Sequence, residues 1–489
     1  MRSLRYTDAK NVIQDQHRFW ERDTIKYFAA FFPVTPYNTH MRSRVNRRVL
    51  STVISFTVIL VGTFIAIQYA KGSIRISRDG VQQNTGLLSA NSFPTGAEVF
   101  VDGKLVSATD DTLYLAPGEY EVVIAKDGFA SWKKNMQIQQ ELVSQTNARL
   151  FPTAPTLTRL TYTGIGNTIA PSPDGQKLLY FTASQSAQRK NGLYVMDLSS
   201  IVPIALQRSP RQIAENIPSL GLDRAEFIWS PDSSELLVIT ENKQFLLPVD
   251  TTSDIRSLTD VTQQSKQILA EWESDMYLKE QQYLLNFPKE IVSIATQSAK
   301  NVYFSPDKEK IVYTATEPVT IPVGLIPSVP AASTQAEERT LTPGSIYVYD
   351  RQEDKNFKLG AEPAQTTTSY KKLLSIDASF KNSISVAASP SAFMSLQASD
   401  SAQLVQNFRQ YHSSLYAETL QWFPDSNHLL FIQDGAIKIT SYDGTNIFTL
   451  YSGPFDHSFV YPWPDGNRIL MYTSFSPDAP KNLYAIELK

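Results

Sequence analysis

The chain has no cysteine in 489 residues. That absence excludes disulfides, thiolate metal sites and thiol nucleophiles together. Histidine is scarce, with five copies. His17, His40, His412, His428 and His457 are too scattered in sequence to suggest a clustered metal site. His428, beside a turn, reads as a surface residue. No G-x-S-x-G pentapeptide and no glycine-rich phosphate loop occurs. The expectation is no catalytic residue, no metal and no cofactor. Glycosidase-type carboxylate pairs stay open, because spacing across distant segments is not readable from sequence.

Charge is missing too, from Val49 to Ala70. As an α-helix this run spans roughly 33 Å at about 1.5 Å per residue, enough to cross a hydrocarbon core. Its polar members are mostly hydroxyls (Ser51, Thr52, Ser55, Thr57, Thr63) that bond back to the preceding turn. Arg42, Arg44, Arg47 and Arg48 precede it. Residues 1–48 carry ten basic and four acidic groups, whereas the remainder carries 35 basic and 44 acidic. Positive flanks stay inside, so the sequence predicts a single-pass protein with 1–48 cytoplasmic, 49–70 transmembrane and the bulk extracytoplasmic. A cleaved signal peptide is the rival, but its apolar stretch would be shorter and closed by an A-x-A site. A buried core helix is the other alternative. Within the basic segment, Val12 to Phe32 reads either as an aromatic-faced helix on the inner leaflet or as a disordered tail. Acidic residues interrupt the basic ones and no binding motif accompanies them, so nucleic acid is not an expected partner.

After a linker over 71–85, residues 86–152 show short alternating strands joined by glycine turns. Asp102-Gly103 between Glu98-Val99-Phe100-Val101 and the next strand is a strong hairpin signal. Tyr120, Val122 and Ile124 alternate with Glu121 and Val123, as in a half-buried strand. The order Pro94-x-Gly96-Ala97, Val99-x-Val101-Asp102-Gly103, Pro117-Gly118-x-Tyr120-x-Val122, Asp127-Gly128-Phe129 resembles the PEGA domain. Thr95 stands where that family's name-giving motif has glutamate. The resemblance implies a small antiparallel β-sandwich of structural or adhesive use, without an active site.

Over 155–489 the chain repeats itself. The turn appears as Ser172-Pro173-Asp174-Gly175, Ser230-Pro231-Asp232-Ser233, Ser305-Pro306-Asp307-Lys308, Phe423-Pro424-Asp425-Ser426 and Trp463-Pro464-Asp465-Gly466. In each copy an apolar run begins five residues after the proline, as in Leu178-Leu179-Tyr180-Phe181. Proline presets φ for a type I turn and aspartate tolerates the next position, so the aspartates read as turn formers and not as calcium ligands. Strands apolar on both faces, repeated, suit stacked blades. Insertions are expected at about 262–298 (a helix), 316–344 (a mobile loop) and 388–416 (a second helical insertion), and the stretch between Pro306 and Pro424 has room for a degenerate sixth blade. These repeats resemble TolB-like and WD40-like propellers.

The sequence thus predicts a mainly β protein: a transmembrane helix, a small antiparallel β-sandwich and a five- to six-bladed β-propeller with helical insertions. The function expected is non-catalytic binding or scaffolding at the cell envelope, with a protein or glycan ligand. A propeller hydrolase acting on envelope glycan or peptide, and a transmembrane sensor, are the alternatives.

Overall fold

The computed structural model describes residues 47–70, 74–77, 80–83, 85–166, 168–183, 191–199, 210–217, 219–327, 334–361 and 420–489. Expectations about residues 1–46, the 388–416 insertion, and His17, His40 and His412 lie outside the described residues.

Helix α1 covers Arg47–Ala70, starting two residues before the charge-free run. Its side chains are described over 51–67, and all of them are exposed, including Phe56, Ile59 and Phe64. Thr57 Oγ1 donates back to the Val53 carbonyl at 2.9 Å, so one hydroxyl is satisfied inside the helix. Counted over its described residues, no helix is long and apolar enough to cross a membrane. The expected linker contains a hairpin, Ile74–Ser77 paired with Gly80–Gln83.

Residues 85–153 fold as two facing sheets. The first runs in the order Lys104–Ala108, Glu98–Val101, Gly118–Ala125, Trp132–Ile138, all antiparallel. The second runs Val143–Gln145, Gly86–Ala90, Asp111–Leu115. Here the expectation of a purely antiparallel sandwich needs correction. Val143–Gln145 pairs parallel to Gly86–Ala90, and Ala148–Arg149 pairs parallel to Ser92–Phe93. The end of the module, residues 143–149, thus runs beside its beginning in the same direction. Alternation places Val99, Val101, Val122 and Ile124 in one core with Leu88, Trp132 and Ile138. Asp102 and Gly103 both adopt left-handed φ (48° and 74°), the geometry of a type I′ hairpin turn. Gly96 and Gly128 occupy turns, Gly118 opens its strand, and the Pro94 carbonyl accepts from Ser92 Oγ at 2.7 Å.

The remainder is a succession of small antiparallel sheets. The first contains Ile169–Pro171, Lys177–Thr182, Gly192–Asp197 and Arg211–Glu215. The second has three strands, Glu226–Trp229, Glu235–Ile239 and Gln244–Pro248. The third holds Ala299–Phe304, Lys310–Ala315, Ser345–Asp350 and Lys355–Ala361. The fourth holds Gln421–Trp422, His428–Gln433, Ala436–Ser441 and Phe448–Tyr451. The fifth combines Val460–Pro462, Arg468–Thr473 and Asn482–Glu487 with Leu157–Arg159 from the start of the region.

Among the described residues, no sheet closes on itself by hydrogen bonds; the sheets join by side-chain packing. Leu179 and Phe181 face Trp229, Leu236 and Val238 of the second sheet, while Leu178 and Tyr180 face Trp463, Leu470 and Leu483 of the fifth. The same strand therefore buries both faces, which is why its sequence is apolar without alternation. Val312 and Val348 meet Leu429, and Leu430 and Ile437 meet Ile469 and Met471. Each such buried side chain is worth roughly 1.5–3 kcal/mol relative to exposure.

One junction is different. Helix α2 (Ser265–Leu284) packs Leu269 and Trp272 against Ile228 and Leu237 of the second sheet. Helix α3 (Lys289–Ser293) and the π-helical turn Ile294–Ser298 pack Ile291 and Ile294 against Ile311, Tyr313 and Tyr347 of the third. Helices thus stand where the other seams have sheet on sheet. The segment 316–344, expected to be a mobile loop, is instead a folded arm over its described part. Ile321 N donates to the Arg339 carbonyl and Leu341 N to the Val319 carbonyl, both at 2.8 Å, and Ile321 and Leu341 are buried. Apolar residues at those two positions pin the arm to the third sheet.

Candidate functional site

The five Pro-Asp turns share one internal wiring. Asp174, Asp232, Asp307, Asp425 and Asp465 each accept a backbone N–H two residues on, at 2.8–3.1 Å. In the first three turns the serine before the proline also donates to that carboxylate. The residue after each aspartate takes left-handed φ: Gly175, Ser233, Lys308, Ser426 and Gly466. Pro173, Pro231, Pro306, Pro424 and Pro464 set the preceding bend.

Neighbouring turns are joined in three ways. Ser233 Oγ accepts from Asp174 N at 3.2 Å, and Ser426 Oγ accepts from Asp307 N at 3.0 Å, linking turns one to two and three to four. Turns two and three are spanned by α2. Lys279 Nζ donates to the Pro231 carbonyl at 3.3 Å, and Lys308 Nζ lies 4.8 Å from the Tyr283 ring centre. Burial pushes the nearby Glu280 carboxyl up to about 7, against the pull of Lys308. The two glycine turns receive foreign side chains instead. A Cβ at Gly175 would sit 2.8 Å from the Tyr461 hydroxyl, and one at Gly466 would sit 3.2 Å from the Phe423 ring and 3.4 Å from Arg149 Nη2.

Arg149 comes from the small sandwich and plugs the gap between turns four and five. Its guanidinium lies 4.9 Å from the Phe423 ring, 5.1 Å from Phe93 and 5.9 Å from Phe151. Nη2 donates to the Gly466 carbonyl, and Nη1 stands 3.9 Å from Asp425 Oδ2. Burial lowers the Arg149 pKa from its ordinary value, and Asp425 and Asp465 oppose that shift. His428 is buried, not at the surface as its position suggested. Its Nδ1 lies 2.8 Å from Asp425 Oδ2, and Phe151 meets it edge-on at 5.4 Å. Burial opposes ionisation of Asp425, but His428, the Asn427 N–H and Arg149 outweigh it and hold the carboxyl below its usual range.

A second contact set docks the same sandwich onto the fourth sheet. Lys134 Nζ pairs with the fully buried Asp443 carboxylate at 2.6 Å, and Lys133 N donates to Asn446 Oδ1 at 2.9 Å. Lys134 and Thr445 keep Asp443 ionised below the usual range in spite of burial.

Beside Arg149 opens a cleft of about 280 Å³. Asn91, Phe93 and Asn147 line one wall, and Asp425, Asn427 and His428 the other. Among the described residues, no three histidine, aspartate or glutamate side chains converge as a metal site. Sequence reasoning missed Arg149 and this cleft. One signal was available: the serine preceding the first three prolines is replaced by Phe423 and Trp463 in the two turns that flank Arg149.

Residues 85–153 match the PEGA domain. The wall of the cleft that carries Arg149 therefore lies within the PEGA match. No curated protein matches the chain in sequence. Among solved structures, an oligogalacturonate lyase in complex with manganese aligns at 11% identity and TM-score 0.24, covering 76% of this chain and 86% of that one. TolB from Acinetobacter baumannii aligns at 12% and 0.16, covering 75% and 59%, and a putative TolB from Agrobacterium tumefaciens at 11% and 0.17, covering 83% and 99%. TM-scores this low carry no argument about fold or activity.

Proposed function

We propose that the protein is a membrane-tethered, non-catalytic binding or scaffolding protein of the cell envelope. In this reading residues 49–70 of α1 are the single membrane span, residues 1–48 lie in the cytoplasm, and the rest is displayed on the other side. The exposed apolar side chains over 51–67 and the basic excess before them support that orientation. The five sheets are the blades of a β-propeller of TolB-like type. Their serial packing, and the completion of the fifth by Leu157–Arg159, support this.

The observation that carries the reading is the use made of the motif carboxylates. Each one is consumed in its own turn, and Asp425 additionally in holding the PEGA module. Groups spent on a rigid frame serve presentation, not chemistry. The ligand is an envelope protein or glycan. Fractionation of intact cells tests the anchor: the chain sediments with membranes, and Ile59→Arg releases it. Unchanged sedimentation of Ile59→Arg overturns the anchor. Crosslinking on intact cells tests the binding reading by the partners captured, and turnover of envelope glycan or peptide by the purified protein overturns the non-catalytic one.

A further inference from the structure

We propose that the cleft between the PEGA module and the fourth sheet is a binding site for a neutral saccharide. This rests on the binding-protein reading and adds a place and a ligand class to it.

Three features of the cleft select that chemistry. The first is unused planar amides. Among the described residues, the exposed side-chain amides of Asn147 and Asn427 make no hydrogen bond to protein, and that of the half-buried Asn91 only accepts from Ser89 Oγ at 3.2 Å. An amide offers a donor and an acceptor side by side, which matches a pair of adjacent hydroxyls. The second is Phe93, which keeps 43% of its surface exposed at the cleft edge while Arg149 lies over its ring at 5.1 Å. A half-exposed ring held rigidly is a platform for the C–H face of a pyranose. The third is charge. Arg149 and His428 face Asp425, and Asp465 also acts on Arg149, so no surplus positive charge is left to draw an anion. At about 280 Å³ the space lies just under the range of drug-sized pockets and accommodates one or two sugar rings.

The two walls come from different modules, so a bound ring would bridge them. Asn91, Phe93 and Asn147 belong to the PEGA side and Asn427 to the fourth turn. Neither module alone would complete the site.

The test uses the full chain in lipid nanodiscs, because a maltoside detergent would itself be a saccharide. Maltotriose, cellotriose, tri-N-acetylchitotriose and a trisaccharide of uronic acids are titrated by isothermal calorimetry and saturation-transfer NMR. The expected result is binding of at least one neutral trisaccharide, weakened about tenfold or more by Phe93→Ala and by Asn427→Ala, tenfold being about 1.4 kcal/mol. Val323→Ser, on the exposed arm, leaves it unchanged, and circular dichroism confirms that all three variants fold. No neutral trisaccharide bound by the wild type, binding only of the uronic acid, or equal binding in both cleft variants overturns the proposal. A protein partner crosslinked in cells alongside such a failure would leave the broader binding reading standing.

Discussion

Two of the seams that lack the serine link solve the same problem with opposite electrostatics. Between turns four and five the gap is filled by Arg149 from the PEGA module, paired with a carboxylate held ionised. Between turns two and three it is filled by α2, whose Glu280 is pushed toward its neutral form. A seam built on an ionised acid weakens as pH falls, whereas one built on a buried acid weakens as pH rises. Inserted material thus gives two seams of one repeated fold opposite responses to pH.

The largest way to break the comparison is Arg149→Met. Removing the cation takes the donor from the Gly466 carbonyl, the guanidinium from among three aromatic rings and one of two cationic partners from Asp425, and the expected loss is about 3–5 kcal/mol in denaturant unfolding. A loss under about 1 kcal/mol would mean that Asp425 is satisfied by His428 alone. Lys134→Ala should come next, at about 3 kcal/mol, because Asp443 is fully buried without it. Both losses should shrink in acid. The Asp425 and Asp443 carboxyls are depressed when folded, so the stability they contribute is present above their unfolded values and is lost as pH falls through the folded ones.

Glu280→Gln sharpens the other side. Its folded value of about 7 lies above the unfolded carboxylate value. The wild type therefore loses stability as pH rises from about 4.5 to about 7, then levels off. The glutamine variant should lack that decline and exceed the wild type at pH 8 by about 1–2 kcal/mol, discounted because the side chain is only half-buried. Thermal unfolding at pH 5 and pH 8 reads this directly, and parallel curves for the two proteins would refute it. The smallest effect expected is for Ser426→Ala, which frees the Asp307 N–H at a repeat-type seam and should cost about 1 kcal/mol at either pH.

Much of this architecture was legible in the chain because its causes are local. Asp102-Gly103 fixes a hairpin by φ alone, and Pro-Asp followed by an apolar run fixes each strand entry. The helix expected within 262–298 is α2, whose Leu269 and Trp272 sit three residues apart on one face. What stayed hidden depends on contacts distant in sequence. Nothing near Arg149 says that it will reach Gly466, 317 residues away. His428 looked like a surface residue because a turn normally is one; Phe151 and Phe423 cover it from elsewhere in the chain. The 316–344 arm looked unstructured by composition, yet Ile321 and Leu341, the two of its apolar residues that are fully buried, hold it down. The parallel pairing of Ala148–Arg149 with Ser92–Phe93 was equally out of reach, since it needs both module ends in view.

The pairing of Leu157–Arg159 with Asn482–Glu487 has a consequence for how the chain comes off the ribosome. Thr161 waits 321 residues for Asn482, to which its hydroxyl donates. The first sheet must meanwhile stand with one apolar face, Leu178, Tyr180 and Tyr194, uncovered until the last sheet is made. Nascent chains stalled before Asn482 should therefore recruit holdase chaperones, and those released beyond it should shed them together.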